Sequence, residues 1–331
     1  MLFAVMVISG CSGTQSATVV STAHSSATTT DAPAIISPSE WTSIQTPEWY
    51  DYTQFDTISV VAWNIEHFVD DFDNPYIDHP RENNPPENLP ERRRLLADAL
   101  IQIDADIVVF QEVESSAYIA AFAQEYFEEL GYQVFASRES DTWYMNVVIM
   151  SRIPLGMLYS YANIYTYRSD TSLQNHTNNR MVSVDVLVRP GYSFLLTGVH
   201  LKAGRSETDR NWRIGQLDLL RDHYAKKLAI NQDARILIAG DLNIITGHRE
   251  YYHMLGEGTA VEFIDPLGDV DSFTHPADAP TRQLDYIIPN TNMKRDLVPG
   301  SKEILAPFDA ETMRFISDHL PVISRFVTTG E

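Results

Sequence analysis

The chain has one cysteine in 331 residues, Cys11, so no internal disulfide can staple it and its core must suffice. It is also poor in positive charge: 24 Lys+Arg stand against 45 Asp+Glu, a formal net charge of -21. A uniformly acidic surface repels polyanions, so the mean field argues against nucleic acid or an anionic membrane as partner. A local basic groove or a bound divalent cation can reverse that at one place. Long apolar runs are missing too, and the one at residues 2–8 falls far short of the roughly 20 residues of a membrane-spanning helix. No internal repeat and no second linker interrupts the chain after residue 46, which favours one large domain. The hydrophobic fraction, 44%, is ordinary and enough for a sizeable core.

What is present begins with the short apolar run Leu2–Ile8 followed by Ser9-Gly10-Cys11. Small residues before a cysteine, after such a run, resemble the lipobox of bacterial lipoproteins. The resemblance implies a signal peptide over residues 1–11, lipidation at Cys11, and a chain exported and lipid-anchored to the cell envelope or secreted. No Lys or Arg precedes the run, a departure that points to a true start further upstream. Residues 12–46, rich in Ser, Thr and Ala with no sustained period, read as a flexible tether. The catalytic domain is expected over residues 47–331, as a monomer.

Within that domain, strand and helix signals alternate. Ile58–Ala62, Ile107–Phe110, Val147–Met150, Phe194–Val199, Ile236–Ala239 and Tyr286–Ile288 are short apolar runs of strand type. Met181–Val188 alternates, with Val182, Val184, Val186 and Val188 on one face. Asn88, Pro90 and Glu91 mark a helix start leading to Leu96, Leu100 and Ile103. Ile119, Phe122, Tyr126 and Leu130 predict a second helix stopped by Gly131, and Leu217, Leu220, Tyr224 and Leu228 a third. All three stripes read as core packing. The expected class is α/β, two mixed β-sheets packed face to face with helices on the outside, a four-layer α/β/β/α sandwich.

Polar boxes sit at the downstream ends of the apolar runs: Trp63-Asn64-Ile65-Glu66, Gln111-Glu112, Val199-His200-Leu201, Gly240-Asp241-Leu242-Asn243 and Ser317-Asp318-His319. Strand ends in α/β folds converge on one edge, where sites are usually built. Together the boxes hold the carboxylates, amides and imidazoles that metal-assisted hydrolysis of a phosphate ester needs. Their order resembles the endonuclease/exonuclease/phosphatase superfamily over roughly residues 57–327. That resemblance implies a two-sheet sandwich, a divalent metal and attack of water on a phosphoester. It makes Glu112 the principal metal ligand and sets Asn64, Glu66 and Asp318 at the metal with it: Asn64 as the supporting amide, Glu66 as the nearby acid, and Asp318 as one of the terminal pair with His319. Asp241 and Asn243 match the pair that positions or deprotonates water and holds the phosphate, and Asp285 matches the carboxylate that orients His319. Hard oxygen donors without thiolate favour Mg²⁺ or Mn²⁺ over Zn²⁺. Which of Asp241 and His319 is the base stays open at this point.

Val199-His200-Leu201-Lys202-Ala203-Gly204 is similar to the deoxyribonuclease I-like and sphingomyelinase-like branches, where this histidine protonates the leaving oxygen or binds phosphate. The glutamate that assists it there is missing near Tyr144-Met145-Asn146. Arg180 matches a phosphate-contacting arginine, and Lys202, with Arg205, Arg210, Arg213 and Arg282, reads as a local phosphate-attracting rim. Asp70, Asp71, Asp73 and Asp78 form an acidic loop, an accessory Ca²⁺ candidate that lacks the spacing of a known calcium loop. His67, His79, His248, His253 and His275 read as surface-loop residues. The leading expectation is an extracytoplasmic nuclease, with nucleic acid as substrate and the membrane reached through the lipid anchor. A phospholipid headgroup or small phosphomonoester on the same site is the competitor, and a non-catalytic binding lipoprotein is the reading from another class.

Overall fold

The apolar runs become strands of two sheets in a computed structural model that describes residues 46–329 apart from 85, 141–142, 170, 175–177 and 269–271. Cys11, the expected signal peptide and all but the last residue of the expected tether lie outside the described residues. In chain order the strands are β1 (Thr57–Phe68), β2 (Ile107–Val113), β3 (Val134–Ser137), β4 (Asn146–Ser151), β5 (Leu155–Ser160), β6 (Tyr167–Ser169), β7 (Ser172–Leu173), β8 (Met181–Arg189), β9 (Tyr192–His200), β10 (Ile236–Asp241), β11 (Asp285–Pro289), β12 (Glu303–Ile304) and β13 (Val322–Val327). The helices are α1 (Pro80–Asn83), α2 (Leu89–Ile103), α3 (Ser116–Tyr126), α4 (Glu207–Ile230), α5 (Arg249–Leu255), α6 (Thr291–Lys294) and α7 (Ala310–Ile316). Every strand and helix anticipated from the apolar pattern is present.

One sheet runs β12-β13-β1-β2-β4-β3 and the other β11-β10-β9-β8-β5, with β6 and β7 as a separate two-stranded piece. Both main sheets are mixed: β1 pairs parallel with β2 but antiparallel with β13, and β10 pairs parallel with β9 but antiparallel with β11. Between the sheets lies an apolar layer of Ile58, Val60, Ile107, Val109, Val147 and Ile149 facing Val182, Val184, Val186, Leu196, Leu237 and Ile287. The alternating valines of β8 thus point where period-2 patterning put them. On the outer face of the first sheet Trp63, Phe110 and Met150 pack with Leu96, Leu100, Ile119, Phe122 and Met313 of α2, α3 and α7. On that of the second, Leu195, Val199, Ile236 and Ile238 pack with Leu217, Leu220, Tyr224 and Met254 of α4 and α5. The architecture is the expected four-layer sandwich.

Local signals explain most helix ends. Ser206 caps α4 in a reciprocal box with Asp209, and Ser115 accepts the Tyr118 amide to start α3. Two expectations need correction. Asn88 stands at the start of α2 but makes no side-chain capping bond. The Ile119–Leu130 stripe is not one helix: α3 stops at Tyr126, and a 3₁₀ turn, Glu128–Leu130, precedes Gly131 at φ 74°. The buried ring of Phe127 packs edge-on against Phe122 and Tyr132, and its backbone leaves the helical region there, at φ -156° and ψ 43°. Tertiary packing overrides the stripe.

The sheets approach closely at Gly198 of β9. A Cβ there would lie 2.8 Å from Val147 Cγ1 and 2.9 Å from Val109 Cγ1, both on stiff β-branched side chains. Propensity alone would make Gly198→Ala stabilising by roughly 0.5–1 kcal/mol, whereas overpacking a dense core costs about 1–3 kcal/mol. Packing wins, so Gly198→Ala is expected to lower Tm by a few degrees in thermal denaturation; a rise would refute the tight sheet-to-sheet contact.

Candidate active site

Register alone brings three of the site candidates side by side. On the second sheet Asp241 at the end of β10 is flanked by His200 of β9 and by Asp285 of β11. The chain reaches Asp241 through Gly240 at φ 141°, where a Cβ would sit 2.1 Å from the Val199 carbonyl oxygen. Only glycine fits that crossing, which explains the Gly-Asp pair. On the first sheet Asn64 of β1 pairs with Gln111, the residue before Glu112 on β2. Both strands shift register just beyond, a bulge that re-aims their last side chains.

Backbone strain collects here. Among the described residues five non-glycine positions have positive φ, and four are Glu66 (40°), His67 (52°), Glu112 (60°) and Asn243 (53°). The fifth, Asp104, ends α2. Such conformations cost roughly 1–3 kcal/mol each and need neighbours that enforce them. Those neighbours are visible: the Glu66 amide donates to Asn64 Oδ1 (3.1 Å), the His67 amide to Glu112 Oε2 (3.2 Å) and the Asn243 amide to Asp241 Oδ1 (2.8 Å).

The Asn64 amide nitrogen donates to Glu112 Oε1 at 3.3 Å and to Asp241 Oδ2 at 3.1 Å, and Asn243 Nδ2 reaches the same Asp241 oxygen at 3.2 Å. His200 Nε2 lies 3.7 Å from Glu112 Oε1 and 3.6 Å from Asp241 Oδ2, and its Nδ1 lies 3.5 Å from Arg180 Nη1. His319 Nδ1 meets Asp285 Oδ2 at 2.7 Å. Asn64, Glu112, His200, Arg180, Asp241, Asn243, Asp285 and His319 therefore share one cleft between the sheets.

Burial sets the charge states. It pushes the Asp241 carboxyl up to about 7, with the Asp285 charge adding to the shift and the His319 imidazolium opposing it. Burial also raises the Glu112 carboxyl, the Asn64 hydrogen bond notwithstanding. His200 is held well below its ordinary value by burial and then by Arg180, so it is neutral. His319 differs. Burial alone would lower it, but Asp285 at hydrogen-bond distance, with Asp241 and Asp318 nearby, outweighs that and raises it to about 10. An imidazolium at neutral pH cannot accept the proton of a water, which leaves Asp241 as the base candidate.

The remaining expected residues are engaged differently. Glu66 pairs with Arg314 at 2.7 Å. Asp318 lies 3.4 Å from His275 and 3.8 Å from His319. Lys202 turns to Asp209 (3.1 Å) and sits over the Trp212 ring. Of the residues expected at the metal, Asn64 and Glu112 are in hydrogen-bond contact, while Glu66 is engaged by Arg314 and Asp318 by His275. The three-residue acid–imidazole clusters among the described residues are Asp241–Asp285–His319 and His275–Asp318–His319, in both of which the His319 imidazolium already supplies positive charge. Glu112 fits a hard divalent cation best. Its carboxylate is largely buried, and the only imidazoles within ion-pair distance of it among the described residues, His67 and His200, are neutral; the His319 and Arg180 charges reach it only from further away.

Two histidines assigned to surface loops belong to the site. His67 is half-buried at the end of β1, 3.6 Å from Glu112 Oε2, with Tyr144 Oη 2.6 Å from its Nδ1; burial drives it down to about 4. His275 packs edge-on against His319 with ring centroids 4.8 Å apart. His79 lies against Trp143 and Tyr144, while His248 is exposed and His253 pairs with Asp218. His67 stands three residues after Asn64, a signal within the first box; nothing in the sequence joins His275 to His319. Also missed was Arg92 of α2, whose guanidinium donates to the carbonyls of Ile316, Ile65 and Glu66 and so ties the first box to the last.

Two stacked sheets with acids, amides and imidazoles at their shared edge define a phosphoesterase-type α/β sandwich. The profile of the Endonuclease/Exonuclease/phosphatase family matches residues 61–319, and the chain belongs to that family, whose members are hydrolases acting on phosphoester bonds. No curated protein matches the chain by sequence. Solved structures are similar in fold. The human Nocturnin catalytic domain with bound sulfate anion is 18% identical, with TM-score 0.59, over 83% of this chain and 95% of that one. D. rerio TDP2 complexed with single strand DNA product is 18% identical, with TM-score 0.56, over 82% and 98%. Beta toxin 275-280 from Staphylococcus aureus is 20% identical, with TM-score 0.54, over 81% and 99%.

The His319–Asp285 pair is directly observable. In an NMR titration the His319 ring is expected to lose its proton near pH 10. In Asp285→Asn, where burial acts unopposed by that carboxylate, the midpoint should fall by several units. A wild-type midpoint below 7 would contradict the assignment.

Proposed function

We propose that the protein is a divalent-metal-dependent phosphodiesterase that cleaves nucleic acid outside the cytoplasm. The observation that carries this reading is the meeting of Glu112, Asp241 and His319 in one cleft with complementary charge states. A Mg²⁺ ion held by Glu112, with Mn²⁺ as substitute, would supply charge neutralisation at the phosphate. Asp241 takes the proton of the attacking water: burial makes it basic near neutral pH, and Asn64 and Asn243 fix its orientation. His319, kept protonated by Asp285, donates from Nε2 to a phosphate oxygen as charge builds there. His200, neutral and beside Arg180, suits phosphate binding better than proton delivery.

Nucleic acid as substrate is supported by the D. rerio TDP2 relative bound to a single strand DNA product. Export is supported by Ser9-Gly10-Cys11 and the tether. The net charge of -21 favours the competing substrate, a phospholipid headgroup or small phosphomonoester. The test is one matched panel, with Mg²⁺ and with EDTA, of single- and double-stranded DNA, RNA, sphingomyelin and a phosphomonoester. Mg²⁺-dependent cleavage of a nucleic acid is expected, lost in EDTA. Asp241→Ala and His319→Ala should each lower kcat by about 10²–10⁴ with unchanged circular dichroism. Cleavage of sphingomyelin or the monoester alone would move the assignment to the competitor, and cleavage of nothing would end it.

A further inference from the structure

Next to the catalytic cleft lies a cavity of about 340 Å³, within the range of small-molecule sites, lined among others by Gly204, Arg205, Arg210, Asn243, His248 and Arg282. Two further lining residues, Arg213 and Glu250, are buried and paired at 2.8 Å, so they cancel. Arg205, Arg210 and Arg282 have no carboxylate within ion-pair distance among the described residues; Arg282 instead points Nη2 at His275 Nδ1, 2.8 Å away. Three guanidinium groups outside any ion pair among the described residues line one cavity in a chain with 45 acidic residues, although Arg210 lies near enough to Glu250 to lower its carboxyl pKa.

Their scaffold is fixed. Gly204 adopts φ 111°, and a Cβ there would lie 2.3 Å from Asp209 Oδ2. Asp209 in turn receives the Ser206 amide (3.2 Å), the Ser206 hydroxyl (2.7 Å) and the Lys202 ammonium (3.1 Å). Arg213 holds the carbonyls of Lys202 (2.7 Å) and Gly204 (2.9 Å) from below. The loop backbone that presents Arg205 is thus tied down at both ends, and the planar guanidinium fork suits phosphate oxygens. Asn243 is common to both places: it lines the cavity and bonds Asp241 Oδ2 at 3.2 Å.

We infer that this cavity is a second phosphate subsite, which receives a phosphate adjacent along a polynucleotide strand to the one being cleaved. The inference rests on the proposed phosphodiesterase function and deepens it. A ligand that fills both positions carries at least two phosphates, whereas a phosphocholine headgroup or a simple monoester engages only one.

The test compares wild type with Arg205→Ala/Arg210→Ala, two residues at the rim outside the catalytic cluster, on a hexanucleotide and on bis(4-nitrophenyl) phosphate, which has a single phosphate. The double variant should lose tenfold or more in kcat/KM on the hexanucleotide, mainly through KM, with a shallower salt dependence. On the one-phosphate ester it should stay within twofold, and Arg205→Lys/Arg210→Lys should recover most of the loss. Equal losses on both substrates, or none on either, would overturn the subsite while leaving the phosphodiesterase standing. Were wild type to cleave neither, the functional reading would fail instead. Hexanucleotide binding in EDTA, followed by fluorescence anisotropy, would then judge the subsite: a tenfold weaker double variant supports it and equal affinity overturns it.

Discussion

One buried amide joins the two sheets. Asn64 gives one hydrogen bond to Glu112 within its own sheet and another to Asp241 across the interface, while its oxygen takes the Glu66 amide. Both donors and an acceptor lone pair are used at 1% exposure. Without that side chain two buried carboxylates would face each other with no proton donor between them, a costlier arrangement than a simple lost hydrogen bond. The neighbouring chain is sutured to the same point. Ser317 Oγ donates to the Asn64 carbonyl at 2.6 Å and accepts the His319 amide at 3.0 Å, and the Trp63 indole donates to the His319 carbonyl at 3.0 Å. Arg92 closes the set from α2. Residues 250 positions apart are thereby fixed relative to one another before any substrate arrives.

Three of the four site imidazoles show how charge is apportioned in such a cleft. Burial disfavours the cationic form of His67, His200 and His319 alike. What separates them is the distance to the nearest carboxylate. His319 has one at 2.7 Å, within a hydrogen bond, whereas His67 and His200 have theirs at 3.6 Å or more, and His200 also faces Arg180. A gain of about one ångström and a shared proton is enough to reverse the sign of the burial effect. The outcome is a cationic His319 ring beside two neutral ones, the Arg180 guanidinium, and two carboxylates raised by burial, which is a polarised rather than a neutral site.

How much of this was legible in the sequence depends on whether the signal is local. The strands were, because their faces are buried in layers and period-2 patterning records that directly, as in Val182 to Val188. The polar boxes were, because a strand end is where the chain leaves the core and can turn a side chain into a cleft. The break between α3 and the 3₁₀ turn was not, since it answers to where Phe127 must pack. His275 was not, because its place beside His319 is made by a loop whose two partners, Arg282 and Asp318, arrive from different segments. Lys202 was legible as a cation but not as one already engaged by Asp209 at the start of α4.

The acid excess and the arginine rim, which seem opposed in a list of residues, act together in space. At a net charge of -21 a polyanion is repelled over most of the surface, and the field is long-ranged at low salt. On the proposed reading, a strand would be held where guanidinium groups outside any ion pair locally reverse the sign. Most of the basic side chains near the site are spent on structure: Arg213 on Glu250, Lys202 on Asp209, Arg314 on Glu66. Arg205, Arg210 and Arg282, in no ion pair among the described residues, line the same cavity as Asn243, whose amide bonds Asp241. Under the proposed function, repulsion elsewhere would sharpen recognition, because it would raise the contrast between the proposed phosphate subsite and the rest of the surface.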